Sequence, residues 1–176
     1  YTPGRYLLHA AQMGSAYLVQ MAPASTIVNC AMLQSADQLR WVSRIAYRTK
    51  ELSLAAPDAG FVDGERGHWQ GNAAWQGFRE LMERTLVSYD WGEHFTALNL
   101  VAKPAIDEAF VRQLGNVARR EGDGLAQRFV SLEVGLEKML GKPLITHDNA
   151  LYWRIFKTLG LAPVTEQGNL LSSLKD

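Results

Sequence analysis

Apolar residues recur at Val28, Ala31, Met32, Leu33, Ala36, Leu39, Val42, Ile45 and Ala46, mixing spacings of three and four as a buried helical stripe requires. The pattern predicts one long helix from Gln20 to Leu54. Pro23 suits its first turn, where amides lack an intrahelical acceptor, and Ser25 or Thr26 offers a capping hydroxyl. Asp37, Arg40, Arg44, Arg48 and Glu51 share another face at steps of three and four, a spacing at which carboxylates and guanidinium groups can pair. At about 1.5 Å per residue such a helix extends roughly 45 Å, more than a small domain needs for its own core. It is therefore expected to be a bundle spine or a subunit contact.

The flanking segments repeat the helical period. Tyr6, Leu7, Ala10, Ala11, Ala16, Tyr17 and Val19 predict a preceding helix, weakened at Gly14 and bent at Pro23. Pro57-Asp58-Ala59-Gly60 ends the long helix, and Asp63-Gly64-Glu65-Arg66-Gly67 predicts a polar loop. Asn72 is placed to cap a helix striped by Trp75, Phe78, Leu81, Met82, Leu86 and Tyr89. After Trp91-Gly92, Phe95, Leu98, Val101, Ile106, Phe110 and Leu114 continue the spacing, with a kink expected at Pro104. Glu108 and Arg112 form a favourable i,i+4 pair, and Arg119 and Arg120 place positive charge near a helix C-terminus. Further helices are predicted over about 124–140 and 148–159. No strand-like alternation occurs, so the fold class read from pattern is all-α.

Composition changes this picture little. With 176 residues and 47% hydrophobic content, the chain fits a single helical domain over 1–176. Lys+Arg 18 balances Asp+Glu 18, so no basic field attracts nucleic acid or an anionic membrane. A neutral chain with 10% aromatic residues favours having part of its surface covered by a partner. Cys30 is the sole cysteine, which forbids an intrachain disulfide, and no apolar run approaches the roughly 20 residues of a membrane span. A cytoplasmic location follows as the default. The opening at Tyr1 rather than Met is read as a missing N-terminal portion.

Candidate chemistry is sparse. Glu65-Arg66-Gly67-His68 has the E-x-x-H spacing that supplies a carboxylate and an imidazole to a di-iron bundle, but such a site needs two copies plus two more glutamates. One copy in an expected loop reads as solvated. His94 and His147 each adjoin an acid and are expected to be structural, and His9 sits among apolar residues. Cys30 is expected inside the long helix as a small hydrophobe. No nucleophile elbow, phosphate loop, dinucleotide fingerprint or C-x-x-C is present. Trp41, Tyr47, Trp69, Trp75 and Trp91 lack a neighbouring basic stripe, which favours packing over base stacking.

Two stretches, QMAPASTIVNCAMLQSADQLRWVSRIAYRTKEL from Gln20 and AWQGFRELMERTLVSYDWGEHFTALNLVAKPAIDE from Ala74 to Glu108, together resemble the beta subunit of bacterial multicomponent di-iron monooxygenase hydroxylases of the phenol and toluene type. The resemblance spans roughly Tyr1 to Leu125; the tail over 141–176 diverges from it. It implies a ferritin-like helical bundle with long helices that binds no cofactor itself. The di-iron centre would belong to an alpha subunit. A gamma subunit, an effector protein, a reductase carrying NADH chemistry through FAD and a 2Fe-2S cluster, and a second copy of the protomer would complete the system. The implied role is a non-catalytic scaffold for insertion of one oxygen of O2 into phenol- or toluene-type substrates. Its expected interface lies on the long helix at Pro23, Asn29, Asp37, Arg40, Trp41, Arg44 and Arg48. Two alternatives stand beside it. One is a free-standing di-iron protein using Glu65, His68 and acids such as Glu80, Glu83, Glu93 and Glu108. The other is a helical binding module for a small apolar ligand.

Overall fold

The computed structural model describes residues 2–122, and all of its regular elements there are helical. The predicted helices and the divergent tail beyond 122, with His147, lie outside the described residues. The chain divides into two compact units, residues 1–114 and 115–176.

In the first unit, α1 (Gly4–Met21) and α2 (Ser25–Ala55) form a helical pair. The break between them falls at Ala22, one residue before Pro23, where the backbone is extended at ψ 137°. The cause is the proline, whose ring disfavours the helical conformation in the residue before it. The single helix expected from Gln20 is thus two: Gln20 and Met21 end α1, Pro23 lies outside the first turn of α2, and Ala24 stands at the N-cap without a side-chain hydrogen bond. The hydroxyls of Ser25 and Thr26 do not cap α2.

Burial reverses the expected hierarchy. Eight of the 18 residues of α1 are buried, including Leu7, Leu8, Ala11 and Leu18, whereas only five of the 31 in α2 are. The shorter helix is therefore the one surrounded by the core, and α2 packs along its side. The buried line of α2 is Ala31, Gln34, Gln38, Ile45 and Thr49, with Trp41 and Val42 packed against it. Met32, Leu33 and Leu39, expected in the stripe, are exposed at 53%, 52% and 46%.

A single 3-10 turn (Pro57–Ala59) and Gly60, at φ 67°, close off α2. The expected loop at 63–67 is instead the start of α3 (Glu65–Gly71), whose first-turn acid favours the amino end of a helix. Asn72 then caps α4 (Ala73–Val87) as expected, its Oδ1 accepting from Ala74 N at 3.0 Å. Asp90 does the same for α5 (Trp91–Phe95), accepting from Glu93 N at 2.8 Å. From there the chain stays helical but widens twice to the π form, at Thr96–Ala102 and Asp107–Gln113, around α6 (Lys103–Ile106). The interruption expected at Pro104 takes this form. Pro104 sits in the first turn of α6, and Lys103 N reaches back five residues to Leu98 O. The wider turn leaves room where an α-helix would need an amide that proline lacks. The short helix α7 (Leu114–Arg120) follows.

The core joins Leu7, Leu8, Ala11 and Leu18 of α1 to Ile45 of α2, Met82 of α4 and Leu98, Ala102 and Ile106 of the π-containing stretch.

Candidate functional site

The residues singled out on α2 separate by exposure. Pro23, Asn29 and Arg40 are exposed, and Asp37, Arg44 and Arg48 are half-buried. Trp41 packs against the core. Arg40 Nη1 pairs with Asp37 at 2.5 Å, Arg48 Nη1 with Glu51 at 3.2 Å, and the Arg44 guanidinium lies 5.9 Å from the centre of the Trp41 ring. The predicted pairing along this face is therefore present. The outermost line of the same helix is apolar: Met32, Leu33, Leu39, Tyr47 and Leu54 are all exposed. Reading Val28 to Ala46 as a buried stripe hid it.

The acids of the di-iron alternative do not converge. Each described one faces an arginine or solvent. Glu65 pairs with Arg5 at 2.5 Å, Glu80 with Arg84 at 2.5 Å, Glu83 with Arg79 at 2.7 Å and Glu108 with Arg112 at 3.1 Å, while Glu93 is exposed. His68 shares a helix with Glu65 at i,i+3 but is exposed where Glu65 is buried. Among the described residues no group of three or more His, Cys, Asp or Glu side chains is gathered as a metal site. The Glu108 carboxylate is held below its ordinary pKa, first by the Gln113 amide and then by Arg112.

Glu65, expected in a solvated loop, is instead buried in the first turn of α3. Its side chain is 1% exposed, with Arg5 from α1 as its charged partner and the hydroxyl of Thr49 from α2 as a polar neighbour. Burial raises its pKa despite Arg5 and Thr49. Four residues on, Trp69 stacks on Tyr6 with centroids 6.1 Å apart. The arginine and the tyrosine are adjacent in α1, so both anchors of α3 grip one dipeptide. Trp69 also meets Trp75 at 5.8 Å, and Trp75 meets Phe110 at 5.5 Å. The expectation that Trp69 and Trp75 pack rather than stack on bases is met; Tyr47 is 61% exposed.

His94 is structural. It is buried, its Nε2 lies 3.1 Å from Gly14 O, and its ring sits 4.7 Å from that of Tyr17, whose hydroxyl donates to Tyr89 O. His9 is exposed rather than set among apolar groups. Cys30 is half-buried, and burial pushes its thiol pKa up. No helix among the described residues is long and apolar enough to cross a membrane.

Comparison with known proteins gives a consistent result. The sequence profile of the Methane/Phenol/Alkene Hydroxylase family matches residues 1–132. The hydroxylase component subunit beta of the toluene-4-monooxygenase system of Ectopseudomonas mendocina is 55% identical over 125 residues, which are 71% of this chain and 38% of that protein. A solved structure of toluene 4-monooxygenase, with toluene bound in the resting active site, superposes with a TM-score of 0.72 at 53% identity, covering 74% of this chain and 44% of that one. The all-α, ferritin-like frame expected from the sequence is that of this hydroxylase structure. This chain spans less than half the length of either relative.

Proposed function

Because this chain belongs to the Methane/Phenol/Alkene Hydroxylase family, we propose that it is a non-catalytic beta scaffold subunit of a multicomponent aromatic monooxygenase. The observation that carries the reading is its 55% identity to a toluene-4-monooxygenase hydroxylase beta subunit. In this reading the di-iron centre that activates O2 lies in a partner alpha subunit, and the substrate is a phenol- or toluene-type ring. A gamma subunit, an effector protein and an NADH-dependent reductase with FAD and 2Fe-2S groups complete the system, in the cytoplasm, and the hydroxylase holds two copies of the protomer.

The pairing of the acids supports this over the free-standing di-iron alternative. Glu80, Glu83 and Glu108 each have a guanidinium as neighbour, and a carboxylate engaged in this way would have to give up an ion pair to bind iron. In this reading the contact with the alpha subunit runs from Pro23, just before α2, along that helix through Asn29, Asp37, Arg40, Trp41, Arg44 and Arg48.

The test is co-expression of this chain with a phenol- or toluene-hydroxylase alpha subunit, followed by size exclusion and iron analysis. A complex should form in which iron and arene turnover depend on the alpha subunit. Two irons bound by the isolated chain, or oxidation of an arene by it alone, would refute the scaffold role.

A further inference from the structure

The helix α3 is held at its two ends in different ways. At its carboxyl half it is fastened to α4 by an amide and a guanidinium, Gln76 Nε2 donating to Trp69 O at 3.2 Å and Arg79 Nη1 to Gln70 O at 2.9 Å, and to α1 by the Trp69 ring stacked on Tyr6. Its amino end is held by one buried carboxylate, Glu65, against Arg5 of α1 and Thr49 of α2. On the amino side the connection runs through Gly60 and Gly64, and Gly60 has a left-handed φ of 67° that few other residues adopt without strain. The arrangement is a short helix fastened to α4 and α1 at its carboxyl half, with a glycine-bounded approach and one titratable anchor at its amino end.

We propose that α3 is a pH-sensitive strap: its amino end is seated on α1 and α2 while Glu65 is protonated, and lifts from them when Glu65 is ionised. The reason is the balance of burial and pairing at this anchor. An ionised carboxylate with 1% of its side chain exposed has lost nearly all of its hydration, a cost that its partners must offset. The repayment here is limited. Arg5 keeps 35% of its side chain in solvent, so its charge is already hydrated and partly screened. From α2 the group facing Glu65 is the Thr49 hydroxyl, whose proton goes to Ile45 O at 2.8 Å, so that beyond the Arg5 ion pair the Glu65 oxygens have no hydrogen-bond partner among the described residues. From α4 the guanidinium of Arg79 reaches the far end of α3 and is paired with Glu83 at 2.7 Å. On α3 itself Arg66 and His68 are exposed.

The sign follows from linkage. A carboxyl whose pKa is raised when seated binds its proton more tightly in that state than when hydrated. Seating is therefore fully favoured below the hydrated value of about 4.3 and weakens as pH rises through the raised value. Nothing in the strap depends on the hydroxylase assignment.

The test is hydrogen–deuterium exchange of the full chain from about pH 4 to about pH 8, corrected for intrinsic exchange rates, comparing residues 65–71 with residues 7–18 of α1. The opening constant of α3 should rise with pH by up to about tenfold per pH unit within the window, with α1 unchanged. Glu65→Gln should flatten the profile and keep α3 closed at neutral pH. Arg5→Gln should match the native chain in acid and open α3 further at neutral pH, because Arg5 acts only on the ionised form. A pH-independent α3 in the native chain, a slope that survives in E65Q, or parallel opening of α1 overturns the proposal. Should E65Q fail to fold, an R5Q profile identical to the native one at neutral pH overturns it equally.

Discussion

Gly14 is where α1 lies nearest to the His94 ring. A Cβ built there would stand 2.9 Å from His94 Nε2 and 3.3 Å from Leu98 Cδ2. The ring uses that space to place Nε2 3.1 Å from the Gly14 carbonyl, so Nε2 is the nitrogen that carries the proton and donates. Gly14→Ala should therefore push the ring away and break a buried hydrogen bond. We expect a loss of about 1–3 kcal/mol even though alanine is the better helix former. Gly77, in α4 with nothing within 4 Å of a built Cβ, supplies the contrast. Gly77→Ala should stabilise by up to about 1 kcal/mol. Urea midpoints at unchanged slope measure both, and a stabilised G14A would remove the close-approach argument. The sequence marks Gly14 as a weak point in a helix. The reason for the glycine lies 80 residues away at His94, beyond the reach of any local pattern.

At the scale of elements, the seam between α1 and α2 shows what hydrophobic periodicity reads and what it misses. The helices themselves follow from spacing, and so do the Asn72 cap and the break beside Pro23. The facing of α2 does not, because its buried line runs through Gln34 and Gln38, and a stripe drawn from apolar residues alone passes them over. Admitting glutamine to the line Ala31, Gln34, Gln38, Ile45 and Thr49 gives steps of three, four and seven that would have identified the inner face. The same blindness turned α3 into a loop, since two glycines and three charged residues outweighed its single tryptophan at i+4 from Glu65. Gln38 also tests the energetics of the seam. Its Oε1 accepts from Ser15 Oγ at 2.9 Å, while its Nε2 is buried without a partner among the described residues. Ser15 retains the Ala11 carbonyl at 3.0 Å if the amide is removed. Gln38→Leu should therefore be within about 1 kcal/mol of neutral or stabilising, because an unsatisfied donor leaves the core. Gln38→Ala leaves a void and should cost about 2–3 kcal/mol. Thermal or urea unfolding that ranks the leucine variant below the alanine one would show that the amide is better satisfied than its surroundings indicate.

For the molecule as a whole, the informative contrast is between a short helix wrapped by the core and a long one lying along its edge. A 31-residue helix with five buried residues gains little from its own unit, and length of that kind is stabilised chiefly by packing. Its outer line of Met32, Ala36, Leu39, Ser43, Tyr47, Lys50 and Leu54 repeats at steps of three and four, all exposed. Such a line is the pattern of a helix that meets another surface, and the proposed scaffold role would need one. The arginine face differs from it in energetic character. Arg40 and Arg48 already have acidic partners three residues away, and exposed pairs of this type are typically worth under about 1 kcal/mol. If the alpha subunit covers α2, burial of the apolar line should therefore contribute more to assembly than the charges beside it. Leu39→Glu, at a residue 46% exposed, should change the stability of the isolated chain by no more than about 0.5 kcal/mol and yet sharply reduce its recovery with a tagged alpha subunit. Arg44→Glu should reduce recovery less and in a salt-dependent way, since screening acts on charge and not on buried methyl groups. Equal recovery of L39E and the native chain would detach the outer line of α2 from the interface, and a larger loss in R44E would return the contact to the arginine face.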